Sequence, residues 1–91
     1  MSWSARRRPD GEFILTNLSK TDTAHHVALS AAGLQVGDWE APPSWPEVAP
    51  KQTVDFQARR DPLSPLEPRL TVVWEDADGL AHEAYPQIRG L

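Results

Sequence analysis

"SWPEVAPKQTVDFQARRDP", residues 44–62, sets a proline- and tryptophan-rich segment against a run in which Val54, Phe56 and Ala58 alternate with polar residues. Successive side chains on a strand point to opposite faces, so Thr53 to Arg59 reads as one strand with a buried and a wet side. The preceding segment reads differently. Between Asp38 and Pro50, prolines at positions 42, 43, 46 and 50 each lack the N–H that a central ladder requires. This stretch is expected to be a rigid connector that carries the chain from one sheet to the other.

Outward from this strand the pattern recurs. A first strand from Trp3 to Arg8 stops at "PDG", and "EFILTNL" sends Phe13 and Leu15 inward. After the turn "NLSKTDT", "AHHVALS" places Val27 and Leu29 on one face and His26, Ala28 and Ser30 on the other. A short strand follows near Leu34 and Val36. "DPLSPLEP" is a second proline-punctuated crossing; "RLTVVWE" then directs Leu70, Val72 and Trp74 to the core, and "DADG" turns it into "LAHEAYP". No helix-period stretch interrupts this series of about seven short strands, and an all-β sandwich is the default architecture.

Composition narrows the chemistry. A chain of 91 residues has room for one domain and one core, because so small a domain buries only about 60–65% of its unfolded surface. The absence of cysteine removes disulfides, thiolate zinc sites and cysteine nucleophiles. No apolar run has signal-peptide or bilayer-spanning length, so no membrane partner is expected. The net charge of −4 argues against general nucleic-acid binding. Arg6, Arg7 and Arg8, like Arg59 and Arg60, would point alternately to opposite faces, and read as solvated charges on edge strands in preference to a phosphate site.

The Trp3 strand, "FILTNLSKTDTAHHVAL" with Asn17 before the turn and Ala24 opening the next strand, "VAPKQTVDF" and "LTVVWEDADG" together resemble a known group. It comprises the small immunoglobulin-like or fibronectin-type domains common in actinobacterial proteins and their phages. The likeness runs from about Trp3 to Pro86 and implies an immunoglobulin-like β-sandwich of about seven antiparallel strands. Domains of this kind act as spacers, adhesion modules and virion accessories, and they supply no catalytic residues to carry over. The inter-sheet cysteine pair of antibody domains is missing here.

Candidate reactive groups are sparse. His25 and His26 are adjacent and could share one ion only across a bulge, while His82 lies far along the chain. "EDADG" at 75–79 resembles half a calcium loop, but no closing bidentate glutamate follows. Ser30, His82 and an aspartate can be combined on paper into a triad, yet there is no nucleophile elbow, glycine-rich phosphate loop or apolar carboxylate pair. The expectation is therefore no enzyme, no cofactor and no metal.

What is left is Trp39, Pro42, Pro43, Trp45 and Pro46, a stiff aromatic segment of the kind that anchors partners at low entropic cost. Trp3 joins them if its strand is an exposed edge. At least one ring of Trp39 and Trp45 is expected to fold over the open end of the sandwich instead. The functional expectation is a non-enzymatic structural or interaction module with a protein partner. A capsid or tail protein fits best, since a lone domain with its own initiator methionine and no signal suits a virion accessory assembled in the host cytoplasm. The alternative is a cytoplasmic actinobacterial adaptor, and a carbohydrate-binding module is a third option that rests on the tryptophans. Self-association through an edge strand is also expected. Because no residue cluster supplies enough ligands, thermal melts with and without a chelator should coincide; a chelator-induced drop of several degrees would show that the histidines or the "DADG" turn bind metal.

Overall fold

A computed structural model describes residues 2–37 and 42–90. Alternation of apolar and polar side chains is realised as ten strands, with no helix among the described residues. They are β1 (Trp3–Arg7), β2 (Phe13–Asn17), β3 (Ala24–Ala32), β4 (Leu34–Val36), β5 (Ser44–Val48), β6 (Thr53–Phe56), β7 (Ala58–Arg60), β8 (Arg69–Glu75), β9 (Ala81–Ala84) and β10 (Ile88–Arg89). One four-stranded sheet has the order β10-β1-β2-β6, a second has β5-β3-β8-β9, and β4 pairs with β7 in a two-stranded sheet. The chain is all-β.

The inner faces of the two larger sheets meet in a single core. Phe13, Leu15, Val27, Leu29, Val54, Phe56, Val72 and Trp74 all lie in it, as the alternation predicts. Cross-strand register explains how they meet: Phe13 faces Phe56 and Leu15 faces Val54 in one sheet, while Leu29 faces Val72 in the other. The Phe13 and Phe56 rings stack with centroids 5.7 Å apart.

The strand count departs from seven for three reasons. Thr53 to Arg59 is broken at Gln57, so that β6 stays with β2 while β7 swings across to β4. Near the C-terminus, Ile88 and Arg89 form β10, which lies parallel to β1 with Ala5 opposite Ile88 and Arg6 opposite Arg89. Finally, the proline-rich segment contains β5, which pairs with β3 as the outermost strand of its sheet. An edge tolerates a proline, because the N–H that Pro46 lacks is not needed by a neighbour.

These breaks have a joint effect. β3 runs through Gly33 into β4, β6 through Gln57 into β7, and β9 through residues 85–87 into β10. The first two changes of direction take the chain out of the larger sheets into the two-stranded one, and the third takes it from one larger sheet to the other. The β4–β7 pair and the β1–β10 pair both lie toward the half of the domain that carries Gly33. Gly33 takes φ +67°, and a Cβ there would stand 2.5 Å from the Leu66 carbonyl oxygen, so both the turn and the close approach require glycine.

At the opposite end sits Asn17, fully buried on β2. Its Nδ2 donates to the Asp22 and Val48 carbonyls at 3.0 and 3.1 Å, and its Oδ1 accepts from the Ser19 N–H at 3.0 Å. Its backbone N–H donates to the Gln52 carbonyl at 3.1 Å, and its own carbonyl accepts from the Lys51 N–H at 2.8 Å. All the groups that burial would otherwise penalise are satisfied.

One irregularity shapes the neighbouring strand. Against β8, the three-residue step from His25 to Ala28 spans only the two-residue step from Glu75 to Val73, so β3 carries one extra residue. His26 absorbs it in the left-handed region at φ 48°. The bulge turns both Ala24 and Val27 into the core and leaves His25 and His26 outside. Truncating Phe56 to alanine removes the ring that packs on Phe13 and should destabilise the domain by about 3–5 kcal/mol; a denaturant titration checks this, with a loss below about 1 kcal/mol contradicting the packing described.

Candidate functional site

The residues expected to bind a partner do not form one surface. Trp3 is 7% exposed and stands edge-on to Trp74, with ring centroids 5.5 Å apart, so it belongs to the core. Its strand is not an exposed edge over Ala5 and Arg6, since β10 covers it there. The expectation failed because a parallel partner from the far end of the chain leaves no mark on the sequence of β1. Trp45 is in register with Val27 and is half-buried against the core. Trp39 lies outside the described residues. Pro42 and Pro46 are exposed, and Pro43 is half-buried with its carbonyl accepting from the Leu29 N–H at 3.0 Å. The prolines brace an edge strand and present no exposed tryptophan beside them among the described residues.

Chemistry-bearing side chains gather instead at the Asn17 end. A cleft of about 720 Å³ is lined by Asp22, His25, Glu47, Trp74, Asp76, Asp78 and His82, together with Thr21, Thr23 and Ala77. His82 stacks on Trp74 with ring centroids 5.6 Å apart and an interplanar angle of 19°, because the two are cross-strand partners on β9 and β8. Its Nε2 lies 2.7 Å from Asp76 Oδ2. The other oxygen, Asp76 Oδ1, accepts from the Asp78 and Leu80 N–H groups at 2.9 and 3.0 Å, which holds the five-residue connection into β9. "DADG" is thus a hairpin loop whose aspartate organises backbone amides, with Gly79 at φ +79°.

The bulge brings His25 and His26 out of the core, each toward a separate carboxylate. His25 Nδ1 lies 3.6 Å from Glu47 and His26 Nδ1 lies 2.8 Å from Glu75. Among the described residues, no three histidine or acidic side chains form a group able to hold a metal ion. No histidine there is hydrogen-bonded to a hydroxyl, and the paper triad of Ser30, His82 and an aspartate is not assembled. Ser30 is on β3 opposite Thr71, whereas His82 sits across from Trp74.

A feature with a different character occupies the Gly33 end. In the segment Asp61–Pro68, Leu63 is 92% exposed and Leu66 is 60% exposed. The turn is locally fastened: Asp61 Oδ1 accepts from the Leu63 N–H at 3.0 Å, the Asp61 carbonyl from the Ser64 N–H at 3.3 Å, and Ser64 Oγ from the Leu66 N–H at 3.2 Å. Its base is tied to the sheet where the Asp61 N–H donates to the Gly33 carbonyl at 3.3 Å. The expected crossing therefore carries two exposed leucines. The signal was the spacing in "PLSPLEP", which alternates proline with leucine yet offers no strand on which the leucines could turn inward.

Comparison of the chain with family models, curated proteins and solved structures finds no significant match.

The Asp76 carboxyl is held below its ordinary value, first by the His82 hydrogen bond and then by the Leu80 N–H. A group depressed in the folded state stabilises it above the unfolded value of about 3.9, and the contribution disappears as pH falls through the lower folded value. The melting midpoint of the wild type should therefore drop as pH falls below about 4, and Asp76→Asn should flatten that limb. Superimposable acid profiles for the two proteins would contradict the role given to Asp76.

Proposed function

We propose that this chain is a non-enzymatic protein-interaction module of immunoglobulin-like build, whose principal contact is the proline-braced turn bearing Leu63 and Leu66. The build is supported by strand order. β1, β2 and β6 in one sheet and β3, β8 and β9 in the other correspond to the A, B, E and C, F, G strands of immunoglobulin sandwiches, with β5 added beside the C position.

One observation carries the function: two leucines stand in water on a turn that local hydrogen bonds and prolines already hold in shape. Exposing an apolar side chain that burial would favour by about 1.5–3 kcal/mol gains nothing for the isolated domain. Prefixing the turn reduces the entropy lost on docking, so a partner with a complementary apolar pocket would gain most of that burial. The partner proposed is a protein, and the setting is the surface of a phage particle, which the family resemblance implies.

The test is sedimentation from a lysate containing assembled particles. The wild type is expected to travel with the particles, and Leu63→Glu to remain in the supernatant with an unchanged melting midpoint. Recovery of the wild type only as a monomer, or co-sedimentation of Leu63→Glu, overturns the reading. Trp45→Ala does not serve here, because that ring packs on the core and its loss would act on folding.

A further inference from the structure

The parallel pairing of the first and last strands sets two like charges side by side. Arg6 on β1 is in direct register with Arg89 on β10. Their neighbours Ala5 and Ile88, also in register, turn inward to the core, so both arginines point out on the other face of the sheet. Across that face the row runs Arg89, Arg6, Ile14, Asp55. Ile14 is only 7% exposed although it lies outside the core cluster, so the side chains that flank it on this face cover it.

Two of the nearby carboxylates are already engaged. Asp55 holds the Arg8 guanidinium at 2.8 Å and Asp10 holds it at 3.5 Å. Among the described residues, neither Arg6 nor Arg89 has a carboxylate within ion-pair distance. Like charges directly opposite on paired strands are unfavourable. Ser4, two residues before Arg6 on the same face, adds a hydroxyl donor.

We infer that Arg6 and Arg89 form a binding site for a tetrahedral oxyanion of the phosphate class. Two guanidinium forks carried on adjacent strands can each offer paired N–H donors to one phosphate, and a dianion between them converts repulsion into two charge-assisted contacts. The ligand is inorganic phosphate or the phosphomonoester end of a larger molecule; the chemistry recognised is the same. The site is separate from the Leu63 turn and does not depend on it.

The probe is inorganic phosphate, titrated in the low-millimolar range against chloride at constant ionic strength, below the concentrations at which phosphate stabilises proteins by exclusion. Backbone amide shifts should change saturably at Ser4 to Arg7 and Ile88 to Gly90, and the melting midpoint should rise. Arg89→Ala should abolish both responses while melting at or above the wild type in phosphate-free buffer, because the repulsion is gone. Arg89→Lys keeps the charge without the fork and should bind with reduced affinity. A parallel titration with glycerol phosphate identifies the source: equal or tighter binding points to a phosphomonoester, and preference for phosphate to the inorganic anion. Shifts that are linear in concentration, matched by chloride, or unchanged in Arg89→Ala overturn the proposal.

Discussion

The amide of Asn17 is the fastening on which one whole end of the domain depends. It joins the loop after β2 to the end of β5, while the backbone of the same residue holds the turn that leads into β6. Each buried polar group left without its partner would cost about 1–3 kcal/mol, against a total stability for such domains of roughly 5–15 kcal/mol. No apolar residue of similar size could replace it, since the Val48 carbonyl and the Ser19 N–H would both lose their partners. The Trp3–Trp74–His82 stack rests next to this end and inherits its shape from it, because Trp3 pairs across β1 and β2 with Asn17 itself.

The two ends therefore obey different physics. Around Gly33 the β4–β7 pair and the Asp61 N–H to Gly33 carbonyl bond hold the chain by main-chain contacts, and Leu63 and Leu66 stand in water. Around Asn17 a buried side chain's hydrogen bonds and aromatic packing are added to the main-chain bonds. The bulge at His26 belongs to this second regime. It keeps Ala24 and Val27 both in the core at the cost of a left-handed backbone at a residue with a side chain.

The inward faces were legible because period-two alternation is written directly in residues such as Phe13 and Leu15 or Val72 and Trp74. The hairpin at Asp76 to Leu80 was legible as well, since aspartate and glycine carry their own turn chemistry. Pairing partners were not. Nothing in "WSARR" states that a strand more than eighty residues away will lie beside it in parallel, and without that register Arg6 reads as an ordinary edge charge. The prolines are incompatible with a central strand, but an edge strand relaxes the same constraint, and β5 uses it. Trp3 lies in the core and Trp45 packs against it, because a domain this small needs large rings to fill it; their residue type alone could not separate that duty from partner binding. The tip at Leu63 and Leu66 was hidden for the opposite reason, since its residues follow no strand period at all.

The parallel contact between β1 and β10 also determines how the domain would carry a load. β1 runs from the Asn17 end to the Gly33 end, and β10 runs beside it in the same sense. Tension applied between the start of the first strand and the end of the last would drag them past one another along their length. Their hydrogen bonds would then be strained together in shear, where a hairpin peeled from one end would lose its bonds one after another. A two-residue strand contributes little to folding, yet its position makes it the latch through which a pull on the domain must pass.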